Sequence, residues 1–278
     1  MTNSALTNIA IVMRKEVSDA RRNRWFILFT IVFGGLALSL SLLGFSGFGT
    51  FGIAGFGRTV ASLINLVMLI VPLMGLMLGA ISISGERERG SLLPLLAQPV
   101  MPTEVLLGKY LGTAVALMAA ILFGFGFSGI VIAWQGGLAQ FSHYLILVGL
   151  TLLIGLVHLS VGFLISALTS KSTTAISTAL ILWLVIVFIS DLGLIGTAIV
   201  LRLAPSVLLT FTLINPAQVF KVAAIHTIQG NLEILGAAGL YAADVFRGFL
   251  FPTLMVLFLL WVFIPLLVAI GVFRRRSI

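Results

Sequence analysis

Residues 59–92 read TVASLINLVMLIVPLMGLMLGAISISGERERGSL, and the 26 uncharged residues 59–84 run directly into four alternating charges. An α-helix rises about 1.5 Å per residue, so roughly 20 residues cross the hydrocarbon core of a bilayer. Residues 59–84 therefore predict a transmembrane helix. The acidic and basic residues at positions 86–89 indicate where that helix leaves the membrane.

Five further uncharged runs are long enough to cross a bilayer, and none has the alternating pattern of a membrane β-barrel. They are Trp25–Leu43, Tyr110–Trp134, Tyr144–Ser170, Ser172–Ser190 (which can be extended to Leu201) and Gly248–Phe273. The sequence therefore predicts an all-α integral membrane protein with six transmembrane helices in a single domain, residues 1–278. Leu203–Phe220 is also uncharged, but Pro205 and the Asn215-Pro216 pair favour short helical pieces. A seventh crossing or a re-entrant segment is the alternative there.

The composition agrees with a membrane protein. Of the 278 residues, 60% are hydrophobic and 9% are charged, with a mean hydropathy of +1.23. A soluble domain is nearer to half apolar and a quarter charged, so a water-soluble enzyme is excluded. The sequence contains no cysteine, which excludes disulfides, thiolate metal sites and cysteine nucleophiles.

The distribution of Lys and Arg predicts the orientation in the membrane, because these residues accumulate on the cytoplasmic side. With six helices, one side has 12 of them: Arg14, Lys15, Arg21, Arg22, Arg24, Arg87, Arg89, Lys109, Lys171, Arg274, Arg275 and Arg276. The other side has four: Arg58, Arg202, Lys221 and Arg247. Both termini are therefore expected in the cytoplasm. The net charge of +8 reflects this sidedness, and no nucleic-acid partner is expected.

Two segments on the cytoplasmic side are candidate functional elements. Residues 1–24 place Leu6, Ile9, Met13, Val17 and Ala20 at helical spacing, which predicts an amphipathic helix lying at the lipid surface. The helix is either a cationic anchor or a partner contact. In the loop of residues 85–103, Glu86 and Glu88 are expected at a helix start, where they could pair with cations of a partner. An ordinary hydrophilic loop is the alternative.

The external loop of residues 202–247 is longer than a connection between two helices requires. Asn215 before Pro216 is typical of a helix cap. Gating, substrate exit and partner docking are the functional interpretations, with Asn215, Pro216, Phe220 and Lys221 as candidate docking residues. A packed external cap of the helix bundle is equally consistent with the pattern.

Inside the membrane, His158 is the one ionisable side chain deep in a predicted helix. It is either a neutral histidine hydrogen-bonded between helices or part of a pathway, in which Met74 and Met77 would offer thioethers to Cu(I). The methionines are equally consistent with core packing. The Gly75/Gly79 and Gly108/Gly112 pairs predict close helix contacts.

No catalytic motif is present. Gly108-Lys109 comes nearest to a phosphate-binding loop, but Tyr110 stands where Ser or Thr belongs. We therefore expect that this chain is not an enzyme and binds neither ATP nor another cofactor. No metal site is established by the sequence.

The order of these segments resembles ABC-2 type transporter permeases, which are type V exporter-like. The resemblance rests on Arg14-Lys15-Glu16, Arg22-Asn23-Arg24-Trp25, Gly85-Glu86-Arg87-Glu88-Arg89-Gly90-Ser91-Leu92 and Leu107-Gly108-Lys109. It implies that residues 1–24 form an elbow helix, with Arg14, Lys15, Glu16, Arg22 and Arg24, and that Glu86–Leu92 belong to a coupling helix. It also implies two copies of a cytoplasmic ATPase subunit, which bind ATP and Mg²⁺, and a homodimer in the inner membrane.

Within that family the chain is similar to the NosY-type permeases, on the same residues and on the external segment of residues 213–221. This similarity implies copper or sulfur delivery for nitrous oxide reductase maturation and a periplasmic β-helical partner. A secondary transporter or channel not driven by ATP is the alternative function, and a scaffold for peripheral proteins is a third. The membrane interior lacks the Asp, Glu and Arg that ion coupling usually needs.

Overall fold

The fold was obtained as a computed structural model, which describes residues 2–46, 53–92, 94, 100–136, 138–190, 204–229, 232 and 236–276. All regular secondary structure in these ranges is helical. The predicted all-α class is therefore confirmed.

Ten helices account for the described fold. They are α1 (Thr2–Ala20), α2 (Arg24–Ser46), α3 (Ile53–Glu88), α4 (Pro102–Gly136), α5 (Leu138–Leu168), α6 (Ser172–Leu184), α7 (Pro205–Ile214), α8 (Pro216–Gln229), α9 (Gly236–Phe246) and α10 (Leu250–Arg276). A π-helical segment, Val185–Ile189, continues α6, and a short 3₁₀ turn, Arg247–Phe249, precedes α10. The α2, α3, α4, α5, α6 and α10 spans are long and apolar enough to cross a membrane, as the sequence predicts.

The segment with the seventh candidate span is broken at Asn215. Helices α7 and α8 meet there at an angle of 108°. The prolines at the first positions of both helices explain the break, because proline disfavours helical geometry in the residue before it. The predicted short pieces are thus present, and the bent pair together is long enough to form a broken span or a re-entrant loop.

Helix α3 occupies the centre of the bundle and packs along α5. A β-carbon added to Gly79 would lie 2.6 Å from the carbonyl oxygen of Leu159, and one added to Gly162 would lie 2.6 Å from that of Leu76. The two backbones therefore touch without a layer of side chains between them. In addition, the Ser166 hydroxyl of α5 accepts hydrogen bonds from the backbone N–H groups of Ile83 and Ser84 in α3.

Helix α1 lies against the beginning of α4. A β-carbon on Gly108 would be 2.7 Å from Cβ of Val12, and one on Gly112 would be 2.5 Å from Cβ of Glu16. Both predicted glycine pairs therefore lie at close helix contacts. The face of α1 that meets α4 is centred on buried Val12, whereas Leu6, on the predicted lipid-facing side of the amphipathic helix, is 67% exposed.

We expect Gly79→Ala to destabilise the helix bundle, because the new methyl group must displace the α5 backbone. The expected loss is about 1–3 kcal/mol of unfolding free energy, as for other overpacked cores. Thermal unfolding of the purified protein in detergent, followed by tryptophan fluorescence, measures the effect.

Gly149→Ala is the matched control, because nothing lies within 4 Å of a β-carbon at that α5 position. Its melting temperature should stay the same or rise slightly, since alanine favours helix over glycine. Equal melting temperatures for the two variants would contradict the backbone contact between α3 and α5.

Candidate functional site

The charged sequence at residues 86–89 lies at the end of a helix. Glu86 and Glu88 belong to the last turn of α3, which ends where Gly90 adopts a left-handed conformation with φ of 71°. The expectation that these carboxylates lie at a helix start is therefore wrong. At a C-terminus the helix dipole disfavours anions, so both carboxylates require nearby donors.

Lys109 of α4 provides that donor for Glu86. Its ammonium group is buried, with 1% of the residue exposed, and it forms ion pairs with Glu16 of α1 and with Glu86 of α3, the latter at 2.9 Å. Lys15 lies 3.4 Å from the same Glu86 oxygen. We call these four residues the Lys109 cluster. One Glu86 oxygen thus pairs with side chains of its own chain, and pairing of Glu86 with a partner's cation stays a prediction.

The next two charged residues connect α3 to other helices. The Arg87 guanidinium donates to the carbonyl oxygen of Thr169 at 2.6 Å, just beyond the end of α5. Glu88 accepts hydrogen bonds from the backbone N–H and the hydroxyl of Ser172, the first residue of α6. Arg276, at the end of α10, donates to the carbonyl of Leu168 in α5. Three consecutive residues of α3 therefore connect it to α1, α4, α5 and α6 at this end of the bundle.

A set of exposed side chains surrounds this junction. We define the cytoplasmic patch as Glu88, Arg89, Ser91, Pro94 and Met101, which are all exposed. Gly90 is exposed beside them, and Leu92 is buried. Residues 93 and 95–99 of the predicted coupling loop lie outside the described residues. The predicted elbow residues are exposed, namely Arg14, Lys15, Arg22 and Arg24, except for Glu16 in the Lys109 cluster.

The external candidate residues are placed differently from the expectation. Asn215 caps α8 by accepting the N–H of Ala217 at 2.9 Å, and its amide donates to the carbonyl of Ile186 at 2.8 Å. Pro216 is buried and Phe220 is completely buried. Only Lys221 of the four proposed docking residues is partly exposed. The predicted cap at Asn215 is confirmed. Asn215, Pro216 and Phe220 pack inside this chain, as the alternative of a packed cap predicts, and partner docking on this segment stays a prediction.

His158 is fully buried in α5, opposite Gly75 of α3. Its Nδ1 lies 2.9 Å from the carbonyl of Ile154 in the same helix, and its Nε2 has no partner among the described residues. Met74 and Met77 are also buried in α3. Within the described residues, no three His, Asp or Glu side chains are grouped as a metal site. The expected hydrogen bond between helices is not what holds this histidine.

Lys109 is the functional candidate that sequence reasoning missed, because neither the charge distribution nor the segments of the resemblance indicated that this lysine is buried between two carboxylates. A usable signal was present. Gly108 and Gly112 predict a close helix contact around Lys109, and a cation in such a contact needs a carboxylate to offset its desolvation.

We expect Lys109→Gln to destabilise the protein by about 3–5 kcal/mol, because it leaves Glu16 and Glu86 buried without their common cation. Limited proteolysis of membrane vesicles should then release α1, and the melting temperature should fall. Lys15→Gln is the matched control. The Lys15 side chain is 51% exposed, and its ion pair should contribute about 1 kcal/mol or less. Similar losses in both variants would contradict the central role of Lys109.

Comparison with known proteins finds similarity over nearly the whole chain. A family model described as "ABC-2 family transporter protein" matches residues 10–278. A protein of Stutzerimonas stutzeri named "Probable ABC transporter permease protein NosY" is 30% identical over 272 residues, which cover 95% of this chain and 97% of that protein. A protein of the same name from Pseudomonas aeruginosa is 31% identical over 276 residues, covering 96% of this chain and 98% of that protein.

Proposed function

Because this chain belongs to the ABC-2 family of transporter proteins, and is therefore the membrane subunit of an ABC transporter that works with an ABC ATPase, we propose that the end of α3 is its coupling site. In this proposal, two ATPase subunits bind ATP and Mg²⁺ and dock on the cytoplasmic patch. Their closure moves α3 and the helices attached to it.

The observation that carries the proposal is the set of contacts made by Glu86, Arg87 and Glu88. Each of these residues connects α3 to a different neighbour: the Lys109 cluster, the end of α5 and the start of α6. A force applied at the cytoplasmic patch therefore reaches several membrane helices through contacts of about 3 Å. Helix α3 then carries the displacement across the membrane, because its backbone is in direct contact with α5.

The docking surface is tested by reversing one exposed charge. We expect Arg89→Glu to reduce the ATPase subunit recovered with the tagged chain by at least about tenfold, because charge complementarity at an interface is lost. The measurement is affinity purification in mild detergent followed by quantitative mass spectrometry, with ATP hydrolysis as a second readout.

Arg247→Glu is the control, since Arg247 is equally an exposed arginine but lies in the external segment. It should leave the recovery of the ATPase unchanged. Normal recovery with Arg89→Glu would reject this surface as the docking site, whereas a wild-type chain that never retains an ATPase would favour a secondary carrier.

A second copy of the chain completes the proposed transporter. Buried residues make up only 17% of the α6 span, Ser172–Ile189, compared with 78% for the α3 span. Beside it, α3 exposes a stripe of Ala61, Asn65 and Leu69. An amide in a membrane span is costly to expose to lipid. We therefore place the two-fold axis of a homodimer next to this stripe, where two copies would enclose the pathway.

Cross-linking tests this arrangement, and the absence of native cysteines makes single-cysteine variants straightforward. We expect Asn65→Cys to give covalent dimers with a short bis-maleimide reagent in native membranes. Phe127→Cys, at a position of α4 that is 46% exposed, should remain monomeric. Dimers of the Phe127 variant alone would place the interface on α4.

The cargo is the most specific part of the proposal. The resemblance to NosY-type permeases implies a role in copper or sulfur delivery for nitrous oxide reductase maturation, together with a periplasmic β-helical partner. Both relatives described above are named as probable ABC transporter permease proteins. We place the chain in the inner membrane with both termini in the cytoplasm, because most of its Lys and Arg residues lie on the side of the termini. His158, Met74 and Met77 are the candidate pathway residues. The cargo assignment would be rejected if deletion of the gene left the copper content of nitrous oxide reductase unchanged.

A further inference from the structure

A cavity of about 620 Å³ lies beside the Lys109 cluster, at the junction of α1, α2, α3, α4 and α6. Its polar lining includes three carboxylates and three cationic side chains, namely Glu16, Asp19, Glu86, Arg22, Arg89 and Lys109. Its apolar lining includes Trp25, Phe26, Leu78, Ile81 and Ile176. The cavity therefore combines a charge-balanced region with a hydrophobic wall.

Two residues lining this cavity have buried polar atoms without a partner. Oε2 of Glu86 and Oγ of Ser82 make no hydrogen bond within the described residues, and neither atom is open to solvent in this conformation. A ligand in the cavity therefore reaches them once the two side chains rotate towards it. The two residues are one helical turn apart on α3, so their side chains share a face. The other Glu86 oxygen already pairs with Lys109 and Lys15. A buried carboxylate oxygen without a hydrogen-bond donor is unfavourable. A ligand that offers several N–H or O–H donors would therefore suit this cavity.

The depth of the cavity indicates where that ligand comes from. Trp25, at the start of α2, is 46% exposed, and tryptophan at the end of a membrane span favours the lipid headgroup region. Glu16, Asp19 and Arg22 come from the end of α1 and the turn that follows it, on the cytoplasmic side of the same span. The polar part of the cavity thus lies at the headgroup level of the inner leaflet, and the apolar wall continues toward the acyl chains.

We propose that this cavity binds a phospholipid with a primary ammonium headgroup, as in phosphatidylethanolamine. The ammonium group offers three donors, which suit Oε2 of Glu86 and Oγ of Ser82. The phosphodiester is placed near Arg22 and Arg89, and the acyl chains lie along Phe26 and Leu78. A purely anionic headgroup brings no ammonium donor to Oε2 of Glu86. A quaternary ammonium has no N–H to donate.

This proposal does not rest on the coupling function, although Glu86 and Arg89 take part in both sites. A lipid held here would contact α1, α3 and α6 at once. It would therefore stabilise the position of the elbow helix relative to the end of α3.

Native mass spectrometry of the complex purified with its ATPase subunits tests the lipid site. The complex is stripped of lipid in detergent, and dioleoyl phosphatidylethanolamine, phosphatidylcholine or phosphatidylglycerol is added separately. We expect phosphatidylethanolamine to be retained most strongly. Ser82→Ala should weaken its binding about two- to tenfold, the effect of one hydrogen bond. Because the Ser82 hydroxyl makes no hydrogen bond within the described residues, this variant should fold normally.

Ser41→Ala is the matched control, since Ser41 is another buried hydroxyl without a partner but does not line the cavity. Its lipid binding should equal that of the wild type. Glu86→Gln should remove the preference for phosphatidylethanolamine over phosphatidylcholine. The proposal is overturned by equal retention of the three lipids, by a preference for phosphatidylglycerol, or by equal losses in the Ser82 and Ser41 variants. It is also overturned if the ATPase fills the cavity, so that lipid binds only to the chain without it.

Discussion

The end of the helix bundle where α1, α3 and α4 meet depends on one buried ammonium group. Removing a lysine from water costs several kcal/mol, and that cost is offset only by well-placed carboxylates. Lys109 finds two, one from α1 and one from the end of α3. Because neither acid is close to Lys109 in sequence, the pairing requires three separate segments to be in register. The Lys109 ion pairs therefore couple the positions of α1, the end of α3 and the start of α4.

The membrane spans were predictable because hydrocarbon thickness imposes a length on each of them. The runs of uncharged residues gave six helices, and the glycine pairs identified where helices meet. What the sequence left open was rotation about the helix axis. Leu6 and Val12 are both apolar residues of α1, and only packing on α4 decides that Val12 is buried and Leu6 is not.

The charged residues show the same limitation more clearly. From the sequence, Glu86 and Glu88 form an alternating pattern with arginines and read as surface residues. The structure separates them, because residues two positions apart on an α-helix point in nearly opposite directions, about 200° apart around its axis. Glu86 faces inward to Lys109, while Glu88 reaches Ser172 at the surface. The position of Gly90 after them decides that they end a helix, a signal that composition alone does not reveal. Asn215 is the opposite case, since its capping role follows directly from the proline beside it.

The contact between α3 and α5 also constrains how the protein is made. The chain emerges from the ribosome N-terminus first, and α5 begins 50 residues after α3 ends, counting from Glu88 to Leu138. Until α5 arrives, the small residues of α3 face lipid or the insertion machinery. The Ser166 hydroxyl, which accepts two backbone N–H groups of α3, comes later still. Helix α3 thus enters the membrane before the helix that fixes its place, and the bundle can close only once the fourth of its six spans has been synthesised.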